Sequence, residues 1–263
     1  MRARKVTISP LLTLAGFLGL LVLLWQGAFA LHLVPSYALP SPAAVAARGL
    51  ELARDGSLLA SIEASLVRMV LGFVVAAAAG LLVGLGMGVS RVVEACLKSL
   101  FLGLQTLPSV AWVPIALLLF GLNDAAIYFV IVMSSMPAMA IATADGIAHI
   151  PPAYVRAARS LGATPLTLAF RVILPAALPG IVTGVKLGWT LGWHGVVSAE
   201  LIKSSIGLGF LLHAGRELND AAQVVAIMLV TVLLGLGMDR LLFGWAERRL
   251  HARWGFGPFG APG

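Results

Sequence analysis

The sequence predicts an all-α polytopic membrane protein with six transmembrane helices, and three observations predict it. Of 263 residues, 60% are hydrophobic and only 11% are charged. Uncharged, mostly apolar runs of about 20 residues, the length an α-helix needs to cross ~30 Å of hydrocarbon, recur along the chain. Lysine and arginine then gather in alternate connecting segments, as expected of a chain that threads a bilayer repeatedly.

The spans are read at 11 to 31, 66 to 89, 99 to 120, 126 to 147, 179 to 199 and 221 to 243. No residue ionised at neutral pH lies from Val6 to Ala47, Met69 to Ser90, Ser99 to Asn123, Ala125 to Ala144 or Ala221 to Met238, and the run from Pro179 to Ala199 holds only Lys186. The first span has a secretory signal as its alternative, since Arg2, Arg4 and Lys5 precede it and Ala28-Phe29-Ala30 resembles a cleavage site. Its apolar run exceeds the usual 7–15 residue signal core, so a retained helix is expected.

Between the first two spans, the prolines from Pro35 to Pro42 read as a linker. Ser41 is placed to cap, and Pro42 to start, a short amphipathic helix over Ala43 to Arg54 on the outer surface. In the second span Gly80, Gly84 and Gly88 recur at four-residue intervals. Such small-xxx-small rows let helix backbones approach closely in lipid. A tightly packed helix pair or dimer is the expectation here, and a solute groove the alternative.

With the N-terminus inside, twelve basic residues fall in cytoplasmic segments (Arg2, Arg4, Lys5, Arg91, Lys98, Arg156, Arg159, Arg171, Arg240, Arg248, Arg249 and Arg253) and four outside (Arg48, Arg54, Lys203 and Arg216). The positive-inside rule therefore places both termini in the cytoplasm. It also accounts for the net charge of +7 by topology, so no nucleic-acid partner is expected and membrane lipid is the surrounding partner. Cys96 is the sole cysteine, which excludes an intrachain disulfide and a cysteine-built metal cluster. The five histidines fall in separate segments without metal-ligand spacing, and no phosphate-cradling G-x-x-x-x-G-K-[ST] occurs. If ATP is used, another chain must hydrolyse it.

One cytoplasmic segment stands out: YVRAARSLGATPLTLAFRVILPAALPG, residues 154 to 180. Pro151 and Pro152 can begin a helix and Gly162 suits the C′ position that ends it. Tyr154, Ala157, Ala158 and Leu161 share one face, while Arg156, Arg159 and Ser160 occupy the other. Thr164 and Pro165 then form a second N-cap and N1 pair, starting a helix through Leu168 and Arg171 toward Leu174-Pro175. A helix, a glycine corner and a second helix make a docking element, or equally an amphipathic hairpin lying on acidic lipid.

This segment resembles the cytoplasmic EAA loop of ATP-binding cassette (ABC) importer permeases, a pattern of E-A-A, three residues, Gly, nine residues, Ile, one residue, Leu-Pro. Ala157, Ala158, Gly162, Leu174 and Pro175 fall in register, Val172 stands for the isoleucine, and Arg156 takes the place of the glutamate. The stretches LPSVAWVPIALLLFGLNDAAIYFVIV and GVKLGWTLGWHGVVSAELIKSSIGLGFLL are similar to the nitrate, sulfonate, taurine and bicarbonate branch of that family. The resemblance implies a type I importer permease fold in the bacterial inner membrane. It comprises an N-terminal helix and periplasmic loop at 1–60, a permease core at 61–245 with its EAA loop at 151–178, and a cytoplasmic tail at 246–263.

It further implies a homodimer of permeases, two cytoplasmic ATPase subunits that use ATP and Mg, and a periplasmic or lipid-anchored solute-binding protein. By the same resemblance, no cofactor is expected on this chain itself. Arg156, Ala157, Ala158, Arg159, Gly162, Leu174 and Pro175 would couple it to the ATPase.

The solute path is read from polar groups within spans. Asp145, Lys186 and Asp239 lie near cytoplasmic ends, where exposure or snorkelling accounts for them. His194 lies deeper, facing either the pore or a hydrogen-bonding neighbour. Ser109, Trp112, Ser134 and Ser135 could contact an oxyanion, although serine also satisfies backbone freed near Pro108, Pro114 and Pro137. Trp189 and Trp193, four apart, serve packing first and a gate second. A stand-alone channel or secondary transporter lacks a convincing internal repeat. An intramembrane enzyme using His194 with Glu200 or Asp145 lacks a credibly spaced nucleophile and base.

Overall fold

The computed structural model describes residues 10–35, 37–202 and 206–244, and among these every regular element is helical. The basic residues Arg2, Arg4, Lys5 and Lys203 and the tail at 246–263 lie outside the described residues. The elements are α1 (Pro10–Ala30), α2 (Pro42–Arg54), α3 (Ser57–Val89), α4 (Arg91–Gln105), α5 (Trp112–Phe120, preceded by a 3₁₀ turn at Ser109–Ala111) and α6 (Asp124–Ala148). There follow α7 (Pro152–Ser160), α8 (Pro165–Leu168), α9 (Leu174–Glu200), α10 (Leu208–Glu217) and α11 (Ala221–Met238). Two π-helical turns, Ala169–Ile173 and Asp239–Phe243, precede α9 and follow α11.

Among the described residues, four helices are long and apolar enough to cross a bilayer: Ser57–Val89, Asp124–Ala148, Pro165–Glu200 and Ala221–Leu241. Of the six spans expected, the third is broken. The run at 99 to 120 is two helices bent by 97° at a short break, and counting them as one broken span gives five. The reason is local. Pro108 has no N–H to donate and disfavours helical geometry at Leu107. Thr106 folds its hydroxyl back onto the Gly103 carbonyl at 2.7 Å. Gly16–Ala30 within α1 is a shorter apolar segment.

The core is a three-helix sandwich with α6 in the middle. On one side α3 lays its glycine row against α6. A Cβ on Gly84 would sit 2.6 Å from the Ala140 carbonyl oxygen and from Thr143 Cβ, so only glycine permits this approach. On the other side Gly180, Gly184, Gly188 and Gly192 of α9 face α6 in the same manner, a second row at four-residue spacing. Without water to drive association, such close backbone packing is what holds membrane helices together. The helix-packing reading of Gly80, Gly84 and Gly88 therefore holds.

The short amphipathic helix expected after Ser41-Pro42 forms as α2, Pro42–Arg54. Ser41 Oγ accepts from Ala44 N at 3.1 Å and Pro42 occupies the first turn. Arg48 fastens α2 to the α10–α11 corner, donating to Asp220 Oδ2 and Gln223 Oε1 at 2.8 Å each. Asp145, Lys186 and Asp239 are each about one-third exposed and also paired: Asp145 with Lys98 of α4, and Lys186 with Asp239 at 3.5 Å.

Candidate functional site

Two features of the core can carry function: an exposed helical corner at one end, and a polar cleft beside α9.

The corner is α7–α8. The cap of α7 is a Schellman motif, with Gly162 N–H donating to the Arg159 carbonyl and Ala163 N–H to the Ala158 carbonyl, both at 3.0 Å. It requires Gly162 at φ +81°, a left-handed conformation costing a side-chain-bearing residue roughly 1–2 kcal/mol. Thr164 Oγ1 then accepts from Thr167 N at 3.3 Å, and Pro165 opens α8. Nothing in α7 is buried, and Tyr154, Leu161, Leu166 and Phe170 are all more than half exposed. Arg156 and Arg159 are exposed beside them, forming no ion pair among the described residues. An apolar corner rimmed by arginine is thus presented outward on a rigid turn.

From Pro165 the chain continues to Glu200 as one 36-residue helical run, through the π-turn that accommodates Pro175. Leu174 and Pro175 are half-buried at its base. A cavity of ~720 Å³ lies where α7 meets the ends of α6 and α9, lined by Asp145, Gly146, His149, Tyr154, Pro179 and Thr183 among others.

The cleft lies further along α9. Ser109, Trp112, Ser134 and His194 line one cavity of ~220 Å³, together with Gln105 and Pro108. A second cavity of ~460 Å³ is lined by Pro108, Ser109, Trp193, His194, Ser198 and Thr231. Ser109 bonds Ser198 across the boundary, Oγ to Oγ 2.8 Å. The His194 side chain is exposed toward this cleft and makes no hydrogen bond among the described residues.

Four of the seven pathway residues expected from the sequence thus line the smaller cavity, and Trp193 joins at the larger. Ser135 and Trp189 are placed elsewhere. Ser135 is buried against Gly192, and Trp189 packs edge-on to Phe73 with ring centroids 5.0 Å apart.

Sequence reasoning overlooked Ser198, although it lies one turn from His194 on the same helix face. It also overlooked Arg68, which bonds Glu200 Oε1 at 2.9 Å and pairs with Asp124 at 3.2 Å. Both of those acidic partners end apolar runs, so a basic residue at the edge of another span was the available signal.

Residues 76–251 match the family model described as binding-protein-dependent transport system inner membrane component. A probable ABC transporter permease protein of Brucella melitensis is 34% identical over 212 residues, 81% of this chain and 86% of that one. The bicarbonate transport system permease protein of Synechococcus elongatus is 34% identical over 195 residues, covering 74% and 70%. The taurine transport system permease protein of Escherichia coli is 32% identical over 257 residues, covering 94% and 90%. Among solved structures, inward-facing MetNI methionine ABC transporter superposes with a TM-score of 0.54 at 21% identity, over 70% of this chain and 92% of that one. This last likeness concerns the fold alone.

Proposed function

The chain belongs to the binding-protein-dependent transport system inner membrane components, the permease subunits of ABC importers, and is not itself an ATPase; from that premise we propose that it forms the translocation path for a small anionic solute and is driven through the α7–α8 corner. The supporting observation is the continuous helix from Pro165 to Glu200, which starts in the exposed corner and carries His194 and Ser198 along the polar cleft.

The physical logic is mechanical. Two ATPase subunits closing on ATP and Mg would displace whatever is docked in their surface clefts. A short helix held by a Schellman turn moves as a unit, whereas a floppy tether would absorb the displacement. The exposed face of Tyr154, Ala157 and Leu161 would enter such a cleft, with Arg156, Arg159 and Gly162 setting its rim and angle. Leu174 and Pro175 would pass the movement into α9. Because α6 packs between glycine rows of α3 and α9, the three helices would shift together as a block.

In this reading two copies surround the path, a periplasmic or lipid-anchored binding protein delivers solute, and α1 with the broken α4–α5 pair completes six membrane segments. The termini lie in the cytoplasm of a bacterial inner membrane. Ser109, Trp112, Ser134 and His194 contact the passing solute. Ser135 and Trp189 shape the wall from behind. A solute of the sulfonate, taurine or nitrate class is supported by the names of the bicarbonate and taurine relatives and by a cleft rich in hydrogen-bond donors.

Affinity purification of the chain from its native membrane tests the reading. It should bring down an ABC ATPase, and ATP hydrolysis by the reconstituted assembly should rise with solute-loaded binding protein. Proteoliposomes of this chain alone that move solute down an ion gradient would show a secondary transporter instead.

A further inference from the structure

The two cavities beside α9 share Pro108, Ser109 and His194, so they meet at one polar point. Three features make that point more than a packing contact. Ser109 follows the break between α4 and α5 at once, and its hydroxyl closes on Ser198 Oγ at 2.8 Å, with the His194 carbonyl 3.4 Å away. His194 and Ser198 lie one turn apart on α9, and the imidazole between the cavities has no hydrogen-bond partner among the described residues. Ser134 Oγ, buried in the wall of the smaller cavity, also lacks one.

The lining chemistry is one-sided. Neither cavity is lined by Asp, Glu, Lys or Arg, and His194 supplies the one imidazole that lines them. In the Ser109–Ser198 pair one hydroxyl is spent as acceptor for the other. An anion placed between them accepts from both and turns that hydroxyl into a second donor. An ionised acceptor also makes the stronger hydrogen bond. At ~220 Å³ the smaller cavity lies below the ~300–1,000 Å³ range of drug-sized ligand sites, which suits a compact solute.

We propose that Ser109, Ser198 and His194 form the anion-reading constriction of this permease, where a compact oxyanion replaces the Ser109–Ser198 hydrogen bond and takes a further donor from the His194 imidazole. The inference rests on the permease reading above and adds the residues that select the solute's charge. It also assigns the constriction a mechanical link, since Ser198 rides on the helix that begins in the α7–α8 corner, while Ser109 rides on the broken pair.

The test needs no knowledge of the natural solute. Ser109→Cys is introduced into the full chain, purified with the partners that accompany it, and exposed to two methanethiosulfonates, one carrying a sulfonate and one a trimethylammonium group. Cys96, the native exposed cysteine, serves as internal reference, with both thiols read by peptide mass spectrometry. The sulfonate-to-ammonium rate ratio at position 109 should exceed that at Cys96 at least threefold. Adding His194→Asp should bring it to or below the Cys96 ratio, while His194→Gln, which keeps an uncharged donor, should fall between.

A ratio at or below the reference in the Ser109→Cys protein, a ratio untouched by His194→Asp, or no reaction with either reagent would overturn the proposal. Loss of the permease reading would show separately, as absence of an ATPase from the purified material.

Discussion

Arg68 of α3 and Glu200 at the end of α9 form a buried ion pair, 2.9 Å between Nη1 and Oε1, with the Glu200 side chain fully excluded from solvent. The carboxylate also accepts from Ser65 Oγ at 2.7 Å and Gly209 N–H at 3.0 Å. Arg68 gives a further hydrogen bond to the Ile206 carbonyl at 2.5 Å. The pair thereby ties α3, α9 and the start of α10 at one end of the sandwich.

Removing Arg68 leaves the fully buried Glu200 carboxylate without its ion partner, which costs about 3–5 kcal/mol, whereas removing Glu200 leaves Arg68 still paired with Asp124 at 3.2 Å and costs less. Arg68→Met should lower the unfolding temperature of the purified chain sharply, and Glu200→Met should lower it less. The double variant Arg68→Met/Glu200→Met should be less destabilised than the sum of the singles. A thermal-unfolding double-mutant cycle with no coupling would show that the two charges are held independently.

Gly84 and Gly86 lie two positions apart on α3 and should respond in opposite ways. A Cβ at 84 meets α6 backbone at 2.6 Å, whereas a Cβ at 86 meets nothing within 4 Å. Gly84→Ala should cost on the order of 1–3 kcal/mol through forced separation of the helices. Gly86→Ala should be neutral. The folded fraction recovered by size-exclusion chromatography checks both, and equal recovery would contradict the packing.

Ala158→Glu or Gly162→Pro should leave the protein in the membrane but abolish coupling. The first puts a charge on the apolar side of α7. The second cannot adopt the φ of +81° found at that corner. Solute uptake should drop at least tenfold, and an ATPase should no longer co-purify. Arg156→Glu should weaken the same association several-fold if the partner presents an acidic site to this helix. Normal docking and uptake by Arg156→Glu would make that charge incidental.

Lys186 and Asp239 join α9 to the turn after α11 at 3.5 Å, each about one-third exposed. Lys186→Asp should bring two carboxylates together and lower the amount of folded protein in the membrane. The exchanged pair Lys186→Asp/Asp239→Lys should restore most of it, as quantified by immunoblot of the detergent-soluble fraction. Equal loss in the single and exchanged variants would mean that the contact has no electrostatic role.

Much of this molecule was legible in the order of its residues. Ser41-Pro42 announced α2, Gly80, Gly84 and Gly88 announced the α3 face that meets α6, and Pro152, Gly162, Thr164 and Pro165 fixed the α7–α8 corner. Each of these is a local rule: a cap, a missing Cβ or a barred dihedral acts within a few residues and needs no knowledge of the rest of the chain. The glycine row at 180, 184, 188 and 192 obeys the same rule. The break within the run at 99 to 120 is not legible in the same way, because hydropathy counts apolar residues and is blind to a 97° bend.

What the sequence by itself determined is the solvent and the local starts and stops of helices, because hydrophobic length and capping are properties of short segments. The tertiary structure alone decided which polar groups meet. Ser109 and Ser198 are 89 residues apart and Arg68 and Glu200 132 apart, yet each pair is in hydrogen-bonding contact. Those meetings depend on how α6 brings α3 and α9 to its two sides, an arrangement set by long-range packing that no single segment encodes.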